Sequence, residues 1–113
     1  MKNYELYKMT ANQVLKGNFD KAIISIGSCE AHGMHLPEGT DTLVAYKLAC
    51  QIAEHYDDIL VLPPITVGYS AHYDTFPFTI SLSYDTTTQV LYDVMESVLR
   101  NNIQKIIIIN GHD

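Results

Sequence analysis

Lys21-Ala22-Ile23-Ile24-Ser25-Ile26 is a short run that is apolar at nearly every position and rich in β-branched residues. Such a run fits a strand covered on both faces, which is typical of a parallel sheet. Two further runs have the same character, Ile59-Leu60-Val61-Leu62 and Lys105-Ile106-Ile107-Ile108-Ile109-Asn110. Pro63-Pro64 ends the middle run because proline cannot continue strand pairing. The sequence therefore predicts three strands, of which the first two are buried and the third is left uncovered by the residues that follow it.

Helical patterns separate these strands. Ser83 is predicted to cap a helix whose apolar residues recur at helical spacing: Val90, Leu91, Val94, Met95, Val98 and Leu99. Between the first two strands we predict a helix with a buried face of Leu43, Val44, Leu48, Ile52 and Ala53. Thr10 and Gln13 have capping-box spacing and predict a short helix reaching about Lys16. The alternation indicates an α/β fold, a mainly parallel sheet with helices on both faces in three α/β/α layers.

The loop after the first strand carries several groups that could bind a metal ion. It reads Gly27-Ser28-Cys29-Glu30-Ala31-His32-Gly33-Met34-His35-Leu36-Pro37-Glu38-Gly39-Thr40-Asp41. In an extended backbone, the side chains of Glu30 and His32 point the same way. Asp41 lies where the next helix begins, and unpaired N–H groups there favour an ionised carboxylate. Carboxylates and imidazoles are ligands that zinc and manganese accept.

His112 follows the third strand directly, in the sequence Asn110-Gly111-His112. Parallel sheets place their sites at the carboxyl ends of the strands, so this histidine and the first loop are expected at one edge. The two segments would thus bring ligand-type side chains together although they are remote in sequence. We therefore predict a metal-dependent hydrolase.

Composition and charge narrow the possible partners. The 113 residues are 47% hydrophobic and 18% charged, which suits one globular domain with a modest core. A net charge of -6 argues against nucleic acid or an anionic membrane as a partner. The chain shows no signal-peptide pattern, no run of membrane-spanning length and only two cysteines. We expect a cytoplasmic protein with free thiols.

Three motifs resemble those of the creatininase (creatinine amidohydrolase) family, in the family's order. The first runs from Ser28 to Thr42, the second from Gly68-Tyr69-Ser70 into Phe76-Pro77-Phe78-Thr79-Ile80-Ser81-Leu82, and the third is Asn110-Gly111-His112. Family members are considerably longer. The resemblance therefore implies that residues 1–113 are the N-terminal part of a single creatininase-like domain, here truncated.

The resemblance also implies a centre with two divalent ions, which would be zinc, manganese or iron. Asp41 would bridge the ions. Glu30 and His112 would hold one of them, and His32 would hold the other. The activity implied is hydrolysis of a small cyclic or formyl amide by metal-activated hydroxide, in a homo-oligomer. The general acid or base would lie beyond Asp113, so the isolated fragment is expected to be inactive.

The long segment after the second strand is predicted to line the substrate cleft, since loops of this length are usually functional. Ser70, His72 and Tyr73 are the candidate substrate contacts. Phe78 stands where the family's Phe-Pro-Gly-Thr motif has glycine, a departure expected to reshape this loop. Position 113 also departs from the family pattern, since it is aspartate here whereas glycine or an aromatic residue is common in the family. Residues 79–82 are predicted to form a brief strand.

Several alternatives stay open. Cys29 could be a nucleophile with His32 as its base, although an extended backbone would point the two apart. His35 either lines the pocket or packs beside Pro37. The four ligand-type residues could also have ordinary structural roles. Glu30 and His32 would then be solvated loop residues, Asp41 would stabilise the start of a helix, and His112 would lie in a turn. At the level of function, the alternative is a non-catalytic metal-binding or assembly module that retains the ligands.

Overall fold

A parallel sheet forms the centre of the protein in the computed structural model, which describes residues 3–112. Its strands are β1 (Lys21–Ile26), β2 (Ile59–Val61) and β3 (Lys105–Asn110), in the order β2-β1-β3. Lys21 of β1 pairs with Ile59 on one side and with Lys105 on the other. The three predicted strands are therefore present, and their parallel arrangement is confirmed. Asp113, for which we noted a departure from the family pattern, lies outside the described residues.

The main helices are α1 (Ala11–Gly17), α2 (Thr40–Ala53) and α3 (Tyr84–Arg100). Thr10 caps α1 through the predicted capping box with Gln13. Ser83 caps α3 by accepting a hydrogen bond from the backbone N–H of Thr86. Single 3₁₀ turns occur at Leu6–Lys8 and Ala71–Tyr73. Within residues 3–112, none of the helices is both long and apolar enough to cross a membrane.

Alternate residues of β1 face two different helical layers. Ala22 and Ile24 pack in one core cluster with Val98 of α3. Ile23 packs in a second cluster with Ala49 of α2, on the opposite face of the sheet. Because each face is covered by its own helix, the architecture has three layers. The predicted α/β class is confirmed.

The buried face of α2 differs from the predicted one. The residues that face the core are small: Thr42, Ala45, Ala49 and Ala53. Leu43 and Val44 are each 61% exposed, and Leu48 is 46% exposed, so their predicted burial is wrong. The cause is the close approach of α2 to β1, since a Cβ on Gly27 would lie 2.3 Å from the Thr42 Cα. Only small side chains fit between a helix and a strand this close.

The remaining differences are small. β2 ends at Val61, one residue earlier than predicted. The brief strand predicted over residues 79–82 consists of isolated bridges, with Ile80 opposite Cys29 and Ser81 opposite Gly68. The first of these bridges attaches the long segment to the loop that follows β1.

Candidate metal centre

The candidate centre lies where the carboxyl ends of β1 and β3 meet the first turn of α2. Glycines at the ends of both strands allow this contact. A Cβ on Gly27 would lie 2.0 Å from the Thr42 Oγ1, and a Cβ on Gly111 would lie 2.6 Å from the carbonyl oxygen of Asp41. The start of α2 can therefore rest against both strand ends. This contact brings Asp41 between the loop after β1 and the histidine after β3.

Four ligand-type side chains converge at this point. Glu30, His32 and Asp41 each offer one atom within 4.8 Å of the others. The His32 Nε2 lies 2.9 Å from the Asp41 Oδ1. The His112 Nδ1 lies 3.4 Å from the Asp41 Oδ2 and 3.6 Å from the Glu30 Oε2. The structure thus brings together all four residues for which the sequence predicts a role as metal ligands.

Backbone carbonyls determine which nitrogen each histidine presents. The Nδ1–H of His32 donates to the carbonyl oxygen of Glu30 at 3.0 Å, so its Nε2 faces Asp41. The Nε2–H of His112 donates to the carbonyl oxygen of Tyr69 at 2.6 Å, so its Nδ1 faces the two carboxylates. A carbonyl oxygen can only accept, which fixes the proton on the nitrogen beside it. Metal-binding histidines are typically oriented in this way.

The electrostatics of the centre favour an ion pair between His32 and Asp41. The hydrogen bond to the Glu30 carbonyl and the one to Asp41 raise the pKa of His32 above its ordinary value. Burial alone would raise the pKa of Asp41, but hydrogen bonds from Ser28 and His32 outweigh it and lower that pKa. Asp41 is therefore held as a carboxylate, which is the form that binds cations.

Two buried atoms of the centre have no hydrogen-bond partner among the described residues. They are the Glu30 Oε1 and the His112 Nδ1. Glu30 is only 3% exposed. Burying an unpaired carboxylate oxygen is costly, and a divalent cation would satisfy it together with the imidazole nitrogen. The donor set of carboxylates and imidazoles also matches zinc and manganese, so these residues fit such an ion.

The predicted substrate contacts are placed on the segment that orients His112. Ser70 is fully buried; its backbone N–H donates to the Ser81 Oγ at 2.8 Å, and its own hydroxyl has no partner among the described residues. His72 is exposed, and its ring centroid lies 5.3 Å from that of Tyr73. Their substrate-binding roles stay predictions.

Phe78 occupies a backbone conformation that suits glycine. Its φ is +53°, and its side chain is 82% exposed. An L-residue with a side chain is strained in this left-handed region. Phe78 therefore adopts a backbone conformation that favours glycine, and the strain lies two residues from the hydrogen bond that the Ile80 N–H donates to the Cys29 carbonyl. That this departure reshapes the loop stays a prediction.

The geometry gives little support to a thiol mechanism. Both ring nitrogens of His32 are engaged, one by the Glu30 carbonyl and the other by Asp41. Cys29 is therefore left without this histidine as a base. His35, the other histidine of the loop, is exposed.

Sequence reasoning missed two contributors to the centre. One is the Tyr69 carbonyl, which is a main-chain atom and leaves no trace in the residue type. The other is Ser28, whose hydroxyl donates to the Asp41 Oδ2 at 2.8 Å. Its position at the head of the first motif was the available signal.

The fold and site define a class: an α/β protein with a carboxylate–histidine cluster at the carboxyl ends of its strands, of the kind that metallohydrolases use. The sequence profile described as Creatininase: Creatinine amidohydrolase matches residues 7–113. The chain belongs to the creatininase family, as the sequence motifs predicted. It is therefore a member of a family of amidohydrolase-type hydrolases.

Individual relatives agree with this assignment. The chain is 32% identical over 95 residues to a mycofactocin precursor peptide peptidase of Mycolicibacterium smegmatis, covering 80% of this chain and 38% of that protein. It is 27% identical over 95 residues to a creatinine amidohydrolase of Pseudomonas putida, covering 80% and 36%. A solved mutant creatininase of Zn-Zn type superposes with a TM-score of 0.84 at 26% identity, covering 99% and 46%. The chain thus spans less than half the length of these relatives.

Proposed function

We propose that the complete gene product is a metal-dependent amidohydrolase that cleaves a small cyclic or formyl amide C–N bond. The observation that carries this proposal is the convergence of Glu30, His32, Asp41 and His112, two of whose buried ligand atoms have no hydrogen-bond partner within residues 3–112. The Zn-Zn type of the related creatininase structure supports a pair of divalent ions. Zinc, manganese and iron are the candidates.

Each residue has a stated task in this proposal. Asp41 offers one oxygen towards each histidine and would contact both ions. Glu30 and His112 would hold one ion, and His32 would hold the other. Bound divalent ions would supply Lewis acidity, which lowers the pKa of water and polarises an amide carbonyl. Ser70, His72 and Tyr73 would bind the substrate, which arrives beside the segment that orients His112.

A second substrate class, a peptide bond, is favoured by the mycofactocin precursor peptidase among the relatives. A phosphate-rich substrate is disfavoured by the net charge of -6. We propose a cytoplasmic location as well, which the two free cysteines support, and a homo-oligomeric assembly, which the family resemblance supports.

The test begins with the complete gene product, freed of metal with a chelator and reloaded separately with Zn²⁺ and Mn²⁺. Hydrolysis of creatinine, of N-formyl amines and of short peptides is then measured. We expect turnover of at least one amide that is lost with the chelator and restored by metal. Turnover that is unaffected by complete metal removal would refute the proposal.

Loop variants sharpen this test. His32→Ala should lower the number of bound ions and abolish turnover, whereas His35→Ala, which changes an exposed histidine of the same loop, should change neither. Cys29→Ser should leave turnover intact because the thiol has no base. A protein that binds metal but hydrolyses none of the amides would instead be the metal-binding module that we considered as the alternative.

A further inference from the structure

Ser28 is held rigidly beside the centre. It follows Gly27 at the end of β1 and is 0% exposed. Its hydroxyl donates to the Asp41 Oδ2 at 2.8 Å, and its carbonyl oxygen accepts from the Thr42 Oγ1 at 3.4 Å. Ser28 is therefore attached to two successive residues of the first turn of α2. We propose that Ser28 is a positioning residue that sets the plane of the Asp41 carboxylate so that this carboxylate can bridge two cations.

The orientation of Asp41 is what this role requires. The Oδ1 lies 2.9 Å from the His32 Nε2, and the Oδ2 lies 3.4 Å from the His112 Nδ1. The two oxygens thus face different histidines. A carboxylate free to rotate about its Cβ–Cγ bond could instead direct both oxygens to one side and chelate a single ion. The Ser28 hydroxyl opposes that rotation because the rotation would break its hydrogen bond.

The bond also leaves room for a cation. A carboxylate oxygen has two lone pairs, and the Ser28 hydroxyl uses one of those on the Oδ2. The other stays available on the side of Glu30 and His112. Hydrogen bonds that orient ligands in this way typically change metal affinity by about 10–100-fold when they are removed.

Ser25 of β1, three residues before Ser28, provides a matched control. It is also 0% exposed, and its hydroxyl has no hydrogen-bond partner among the described residues. Ser25→Ala therefore removes a buried hydroxyl of the same kind without removing a bond to Asp41. A difference between the two alanine variants reports the hydrogen bond to Asp41 rather than the loss of a buried hydroxyl in general.

The experiment uses the complete gene product without metal and titrates it with Co²⁺. The absorption bands of Co²⁺ report the affinity, the stoichiometry and the coordination geometry, independently of turnover. We expect Ser28→Ala to bind Co²⁺ about 10–100-fold more weakly, with altered bands, and Ser25→Ala to match the wild type. Equal affinity in Ser28→Ala and the wild type would overturn the inference, as would equal losses in both alanine variants.

Two conservative variants keep the test decisive if Ser28→Ala does not fold. Ser28→Thr retains the hydroxyl, and Ser28→Val has nearly the shape of threonine but lacks the hydroxyl. Near-normal binding in the threonine variant with reduced binding in the valine variant would support the role, and equal behaviour would overturn it. The inference rests on the proposed function. If the wild type binds no Co²⁺, the proposed function and the inference about Ser28 both fail. If all Ser28 variants bind Co²⁺ as the wild type does, only the inference about Ser28 fails.

Discussion

Replacement of Glu30 by glutamine is expected to have opposite effects on stability without and with metal. The Glu30 carboxylate is 3% exposed and lies within 4.8 Å of the ligand atom of Asp41. Two unit negative charges at that separation repel by about 3 kcal/mol at an effective dielectric constant of about 20. The neighbouring His32 offsets part of this repulsion. Glu30→Gln should therefore raise the free energy of unfolding of the metal-free protein by about 1–2 kcal/mol.

Bound metal should reverse the relative stabilities of the wild type and Glu30→Gln. A ligand that binds only the folded state stabilises it by about 2.7 kcal/mol at a concentration of about 100 times its Kd. The wild type should gain this stability with Zn²⁺, whereas Glu30→Gln loses a charged ligand and should gain little. The metal-loaded wild type then becomes the more stable protein.

The assay is urea denaturation of the complete gene product in excess chelator and again in excess Zn²⁺. Glu38→Gln is a control, since it removes a carboxylate from the same loop without touching the cluster. If metal-free Glu30→Gln were no more stable than the wild type, the argument from charge repulsion would be wrong. If Zn²⁺ stabilised both proteins equally, Glu30 would not be a ligand.

Three other perturbations test separate parts of the structure. Phe78→Gly should stabilise the protein by about 1 kcal/mol in urea denaturation, because it relieves the left-handed strain at an exposed position, and a loss of stability would contradict the assigned φ. Gly27→Ala should destabilise the protein by about 3 kcal/mol and weaken Zn²⁺ binding measured by calorimetry, because the added Cβ would collide with α2. Gly39→Ala is the control, because a Cβ at that position would meet no atom within 4 Å. Glu5→Gln should cost about 1 kcal/mol at pH 7, because the ionised carboxylate accepts bonds from Tyr46 and Lys8. Burial raises the pKa of Glu5, but these hydrogen bonds outweigh it and lower the pKa overall. The contribution of Glu5 to the free energy of unfolding is therefore present above about pH 4.3 and lost as the pH falls through the lowered pKa. An equal cost of Glu5→Gln at about pH 7 and about pH 2.5 would refute this.

Much of the architecture could be predicted because the strands have unambiguous patterns. The bounds of β1 and β3 match their apolar runs. β1 is buried on both faces, which leaves no gap in its pattern, whereas β3 lies at the edge of the sheet, is only partly buried, and is marked by its four successive isoleucines. The buried face of α2 could not be predicted in the same way. Hydrophobic periodicity favours large side chains such as Leu43 and Leu48, whereas the actual face is decided by how near the helix lies to the sheet. That distance depends on Gly27, which is outside the helix.

The candidate centre was predictable as a set of residues but not as a geometry. Parallel strand ends and the family motifs indicated which side chains would meet. Which nitrogen each histidine presents depends on main-chain carbonyls, among them that of Tyr69. The unusual phenylalanine at position 78 was visible in the sequence, but only the structure shows that its backbone is in the left-handed region.

The contacts of Gly27 and Gly111 with the start of α2 have a consequence for how this scaffold can diverge. At both points a glycine without a side chain contacts the helix. The width of the centre, meaning the distance between the strand ends and the start of α2, is therefore set by main-chain contacts and depends little on side-chain rotamers. If the aromatic segment around Tyr73 lines the substrate cleft, as we propose, mutations there would change which molecules enter without altering that width. New specificities are therefore expected to arise by remodelling the entrance, while the distance between the opposing ligands is inherited unchanged.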